Sequence, residues 1–364
     1  MRISRNKSPF RHLGSLARAS MAVAVAAGAM CAAAGTGLAA TDDADAEVSS
    51  TVDVMPSELP DRSQTSADDR CHHPGPNTDL HGCDLPRIFG DDLAGANLAG
   101  ANLAGANLAK MRLADINLSD STLDHADLDG ANLSRANLTG AHLPHTSLRD
   151  TKLTNADLTH ANLTHANLTS ANLTSANLRG AVLNQAILYY TNLGYADLTQ
   201  ANLTRANLTN AGLDHANAPM AILEGADLDG AHLPDVNLAF ADLNHAYLRH
   251  LNLRSTYLQS AVLTGADLTS SDLTSANLQG AVLNQAVLHL TNLGYANLIE
   301  SDLTDSNLTN ANLNHSDATR ANLSGANLTG ANGGDIRLDQ ANLSGTIWYD
   351  GHTCAAQGST SRCA

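Results

Sequence analysis

From Leu93 to Leu343 every fifth residue falls in one register, and 48 of those 51 positions hold leucine. The exceptions are Ala218, Ala318 and Gly333. Two residues before each leucine stands mostly Ala, sometimes Ser or Thr, and just before it mostly Asn or Asp. No insertion or deletion interrupts these 251 residues. A period of five excludes the usual elements. On an α-helix five residues turn by about 500°, so successive leucines would drift and form no stripe. On a flat strand an odd spacing sends alternate leucines to opposite faces. The chain must therefore turn a corner once every five residues, with Leu and the small residue two before it inside.

Four such sides would close a coil of twenty residues, and coils would stack by backbone pairing at about 4.8 Å. The stretches "ANLAGANLAGANLAK" and "ADLTHANLTHANLTSANLTSANL" closely resemble the pentapeptide-repeat family, whose repeat reads A-(D/N)-L-x-x. The resemblance covers roughly residues 88–347 and implies an all-β fold, a right-handed quadrilateral β-helix, here of about 13 coils. Only three Phe and one Trp occur in 364 residues, so aliphatic side chains must fill the core. Each buried leucine contributes roughly 1.5–3 kcal/mol, largely offset by chain ordering. Ala218 and Ala318 leave less filling, and local loosening is expected there.

Residues 1–40 differ from the rest. Arg2, Arg5, Lys7, Arg11 and Arg18 precede an apolar run from Met21 to Ala34, and small residues follow to Ala40. That order is the pattern of a secretory signal peptide and predicts a secreted or cell-envelope protein. The apolar run is too short for a spanning helix, and no later segment is long enough. Cleavage near Ala40 leaves 15 Lys and Arg against 36 Asp and Glu, a net charge of −21. Nucleic-acid binding needs a basic footprint, so this balance argues against it. Residues 41–70 are acidic, polar and free of aromatics, which predicts a disordered linker.

The ends of a solenoid need covers. Cys71 and Cys83 precede the repeats, and Cys354 and Cys363 follow them. Thirteen coils span about 60 Å, far beyond the roughly 6.8 Å Cα limit of a disulfide. The expected pairs are therefore Cys71–Cys83 in an N-terminal cap over 71–87 and Cys354–Cys363 in a Trp-anchored C-terminal cap over 348–364.

Positions twenty apart should stack, which turns the sequence into a surface map. His125, His145 and His165 form one expected ladder; Tyr195, His215 and Asp235 form a second, repeated one hundred residues on as Tyr295, His315 and Asp335. The repeat belongs to a longer one, since "GAVLNQAILYYTNLGYADL" (180–198) recurs almost intact at 280–298. One hundred residues make five whole coils, so both copies face the same way, as a duplicated block would. No carboxylate or cysteine completes a metal site at the histidines, and a convex face offers no water-excluding pocket. No metal, cofactor or catalytic residue is expected.

Apolar residues replace the outward Asn or Asp at Val182, Ile187, Ile222, Tyr247, Tyr257, Val262, Val282 and Val287. Val262 and Val282 should be stacked neighbours. With Tyr257, Val287, Leu290, Tyr195 and Tyr295 they mark an expected contact surface for an unknown protein partner, and a homodimer is compatible with it. The Asn-Leu-Thr triplets match a glycosylation sequon, but the repeat generates them automatically. The reading is a secreted, non-enzymatic scaffold or interaction module. Two alternatives belong to other classes. An acidic DNA mimic binding DNA gyrase is known in the resembled family and is disfavoured by the signal peptide; an exported enzyme or toxin-related factor is the other.

Overall fold

The structure is a computed structural model, and it describes residues 71–354. The expected signal peptide, the acidic linker and Cys363 lie outside the described residues. Within them one motif recurs without interruption: a bridge residue, an inward leucine and a turn. In each turn the amide three residues after the leucine donates to the leucine carbonyl, as Ala101 does to Leu98 at 3.0 Å. Within the repeat the residue two after each inward leucine position takes positive φ, for instance 55° at His125 and 59° at Ser170. That is the signature of a type II turn.

All 51 residues at that turn position, from Gly95 to Gly345, adopt positive φ. Thirteen are glycine; none is Thr, Val or Ile. Left-handed backbone crowds the Cβ against the following carbonyl, and branching at Cβ makes this worse. Threonine is abundant elsewhere in the repeat and is kept out of this one position.

Four turns close a coil of twenty residues. Parallel bridges join residues twenty apart in unbroken succession from Asp92↔Arg112 to Asn327↔Ile347. Among the described residues no extended strand forms, because each side contributes one bridge residue before the next turn. A leucine and a small residue from each side fill the interior, which is closed to solvent along its length. Ala218 and Ala318 are also buried, at 2% and 1% exposure. Hydroxyls at the small position donate to backbone, as Thr146 Oγ1 does to the Leu123 carbonyl at 2.7 Å.

The outward Asn or Asp has two roles. Its Oδ1 accepts the amide two residues on, as Asn162 does from Thr164 at 3.1 Å, and the Thr164 hydroxyl donates to the same oxygen at 2.7 Å. This Asx turn fixes the start of the corner and explains the frequency of Asn-Leu-Thr. Amides also ladder between coils: Asn137 donates to Asn117 at 3.1 Å, and Asn117 to Asn97 at 3.0 Å.

The coil reaches N-terminally past residue 88. Asp79 and Asp84 bridge Asn102 and Asn107, 23 residues on. The three extra residues are absorbed by a short helix, α1 (Leu85–Phe89). Cys71 and Cys83 form the expected disulfide, with Cα atoms 5.7 Å apart. At the other end Ile347 pairs antiparallel with Thr353, and the buried Cys354 is disulfide-bonded. The Trp348 and Tyr349 rings stack at 4.3 Å against the last coils. A Cβ at Gly333 would fall on the Tyr349 hydroxyl, so the cap's phenol takes the place of the leucine missing there. Burial pushes that phenol's pKa up to about 12.

The ladder has one weak seam. The Leu233, Asp235, Val236 and Asn252 amides make no backbone hydrogen bond, although their equivalents elsewhere do. Leu251 stands there at the position usually held by Ala, and its amide turns to the Ser271 hydroxyl at 3.1 Å. A larger side chain in a close-packed interior forces the backbone to shift. Pro234 lies in the same corner.

Ser170→Val is expected to destabilise the coil, because branching at Cβ adds to the left-handed strain that serine already bears, whereas Ser170→Gly is tolerated; urea unfolding midpoints separate the two. In hydrogen exchange, the Leu233, Val236 and Asn252 amides are expected to exchange faster than those of Leu133, Ala136 and Asn132, which are all bonded.

Candidate interaction surfaces

Because residues twenty apart stack, each side and corner presents a column of side chains. One side carries Val182, Ile222, Val262 and Val282, and Val262 and Val282 are bridge partners. The next side carries Ile187, Tyr247 and Val287, the third Asn192, Asn292 and Asn312, and the fourth Tyr257. Leu290 stands at the corner after the second side, and Tyr195 and Tyr295 at the corner after the third. The seven expected contact residues therefore do not share one face. Four leucine intervals turn the chain a full circle, so nearness in sequence distributes residues around the coil.

The histidine ladder forms as expected. Ring centroids of His125, His145 and His165 lie 4.9 Å apart, with planes 7° and 10° from parallel. Tyr195 stacks on His215 at 4.9 Å and Tyr295 on His315 at 4.8 Å. His215 Nδ1 stands 3.8 Å from Asp235, and His315 Nδ1 3.6 Å from Asp335. These groups are open to solvent and no nucleophile accompanies them, so the geometry lacks the parts of an acid–base centre. Among the described residues no cluster of three or more His, Cys, Asp or Glu converges as a metal site. Nor is any helix there long and apolar enough to cross a membrane.

Two features escaped the five-residue count. At the corner closing the fourth side, Met220 and Phe240 stack one coil apart, 52% and 57% exposed. Ile222 adjoins them on the first side, and Val262 lies two coils further along it. Both stand at the turn position, where, as at Leu290, an apolar side chain leaves the five-residue pattern intact. The second feature is an open depression of about 360 Å³ lined by Arg254, Thr274, Asn292, Gly294, Tyr295, Asn312, Asn314 and His315. Its floor exists because Gly294 replaces the side chain usually carried just after the leucine.

The coils stack with A-(D/N)-L-x-x as the prevailing pattern of their sides. The family described as pentapeptide repeats (8 copies) matches in overlapping stretches over residues 96–305 and again over 306–345. The chain belongs to the pentapeptide-repeat family. Among solved structures it is similar to HetL, a pentapeptide repeat protein involved in heterocyst differentiation regulation from the cyanobacterium Nostoc sp. strain PCC 7120. The two are 36% identical, the match covers 58% of this chain and 92% of HetL, and the TM-score is 0.54. The pentapeptide repeat protein Rfr23 from the cyanobacterium Cyanothece 51142 is 30% identical over 31% of this chain and 90% of its own, with a TM-score of 0.30. No curated protein matches the chain.

Charge in this pentapeptide-repeat coil is organised between coils. Arg135 donates to both carboxylate oxygens of Asp115, at 2.7 and 2.6 Å, and so holds the Asp115 pKa below its ordinary value. Burial pushes the Asp272 carboxyl up. The Thr274 hydroxyl and amide and the Arg254 guanidinium, 3.1 Å away, outweigh it and hold the pKa low. Asp197 is held low against burial in the same way, by Thr199 and Arg179. A carboxylate whose pKa is lower folded than unfolded adds stability above its unfolded value, near 3.9, and that stability is lost as pH falls through the folded value. Asp272→Asn keeps the acceptor for the Thr274 amide and removes the titrating group. It is expected to narrow the difference in melting temperature between pH 7 and pH 3, read by circular dichroism.

Proposed function

We propose that the protein is an exported, non-enzymatic interaction scaffold: a right-handed, four-sided coil of about thirteen turns that works by presenting side chains on a rigid frame. The observation that carries this reading is the exposed apolar corner of Met220 and Phe240, with Ile222 beside it. Apolar surface at a corner is costly to leave in water and is typical of contact sites. The backbone ladder beneath fixes each side chain in place, so a protein partner binds without ordering a loop. Export is supported by the charged, apolar and small-residue order of residues 1–40 and by disulfide-bonded cysteines in both end caps. Likeness to HetL, described as acting in regulation, accords with a role exercised by contact.

Affinity capture from envelope and culture-supernatant fractions, using the disulfide-intact chain as bait, tests this. A partner retained by the wild type is expected to be lost with Phe240→Asp and with Val262→Asp, and kept with Tyr257→Ala. Capture unaffected by both Asp variants would sink the apolar-corner reading. Recovery of the chain mainly from cytoplasm would sink export.

A further inference from the structure

The depression beside Tyr295 is polar where the Met220 corner is apolar, and it has its own chemistry, independent of any protein partner. Tyr295 is 64% exposed and fixed in the left-handed turn at φ 59°. One face of its ring rests on His315 at 4.8 Å. On the other side the next two residues of the column are Ser275 and Ser255. Small side chains in two successive coils leave about two coil spacings, roughly 10 Å, open before that face of the ring. Beside this slot Gly294 forms the floor. A Cβ there would meet Asn292 Oδ1 at 3.2 Å and Asn312 Nδ2 at 3.5 Å, so the floor accepts no larger residue without displacing the walls.

The walls offer neutral hydrogen-bonding groups. The Asn292, Asn312 and Asn314 side chains and the Thr274 hydroxyl line the depression; Asn312 donates to Asn292 at 2.8 Å and Asn292 to Asp272 and Thr274 at 3.1 and 2.8 Å, which leaves the Asn314 amide and the Ser275 and Ser255 hydroxyls of the slot for a ligand. Asn314 Oδ1 accepts from the Gly334 amide at 2.7 Å, and its Nδ2 keeps two protons to donate. The Arg254 guanidinium is 3.1 Å from Asp272, so its charge is already matched. A flat aromatic face ringed by amides and hydroxyls, with charge neutralised, fits a pyranose ring. The sugar's C–H face is weakly positive and meets the negative face of the tyrosine ring. Its hydroxyls, each donor and acceptor, are met by the Ser275 and Ser255 hydroxyls before the open face and by the Asn314 amide in the depression.

The duplicated block supplies the second half of the argument. One hundred residues earlier Tyr195 stacks on His215 at 4.9 Å, with Gly194, Asn192 and Thr174 at the equivalent positions and Ser175 as the neighbour before the open ring face. Asp214 and Gly212 stand where the second copy has Asn314 and Asn312. The two tyrosines share one corner and are five coils, about 24 Å, apart. A ligand that repeats along its length can engage both. With a net charge of −16 on the chain, an acidic polymer would be repelled. We propose that Tyr195 and Tyr295 are paired binding platforms for a linear, neutral polysaccharide.

Electrophoresis of the full, disulfide-intact chain in native gels tests this, with a soluble β-1,4-glucan, an α-1,4-glucan, a galactomannan or, as acidic probe, polygalacturonate in the gel. At least one neutral polymer is expected to retard the wild type, and polygalacturonate is not. Tyr295→Ala is expected to weaken retardation about tenfold, the scale of one lost stacking contact, the Tyr195→Ala, Tyr295→Ala double variant to abolish it, and Tyr257→Ala to leave it unchanged. Ser275→Tyr adds a ring where turn-position tyrosines are already accommodated, fills the slot, and is expected to cause the same loss as Tyr295→Ala. The proposal is overturned if no neutral polymer retards the wild type, if only polygalacturonate does, or if the double variant or Ser275→Tyr binds like the wild type.

Discussion

Everything in this coil depends on one backbone constraint: every fifth residue adopts left-handed geometry. With it the chain turns about a right angle after each leucine, and four turns return it above its starting point. Without it the leucine period of five could not face a common interior. The cost is spread over 51 positions, and the sequence limits it by using glycine or side chains unbranched at Cβ at each. The return is a backbone ladder in which successive coils bond to one another along almost the whole length.

That constraint also governs the surface. Because coils repeat every twenty residues without insertion, a side chain's neighbours are fixed by arithmetic, and polar residues assemble into columns. Asparagine suits this arrangement because one amide caps its own turn and also bonds the next coil. Aspartate serves the same turn and adds charge, which arginines in neighbouring coils offset. Where the arithmetic is respected but the volume is not, as at Leu251, the ladder opens locally while the bridge partners remain opposite. Where a leucine is missing, as at Gly333, a side chain from the cap fills the space. Interior packing and backbone pairing are thus separate requirements, and a single residue can meet one and fail the other.

The surface features differ in how far they could be read in advance. The His125 and Tyr195 ladders followed from spacing alone, because stacking needs only equal distance along the chain. The Met220 and Phe240 corner did not, since apolar residues at the turn position break no rule of the repeat. The depression at Tyr295 was equally hidden. It depends on Gly294, Ser275 and Asn314, which are unremarkable singly and lie in different coils.

The sequence by itself determined a coil with a corner every five residues and the pairing of Cys71 with Cys83; the resemblance to pentapeptide repeats supplied the twenty-residue closure and with it the columns of stacked side chains. A strict period leaves the backbone one way to bury its leucines, so local pattern and global fold agree. Tertiary structure alone decided which exposed groups become neighbours across a corner and where the surface is hollow. It also decided how the ends are sealed: α1 absorbs three residues that break the count, which places Leu80 and Leu85 inside a coil beginning before the unbroken repeat. The reason is physical. Periodicity specifies position along and around the coil, whereas depth and shape depend on the volumes of side chains that only stacking brings together.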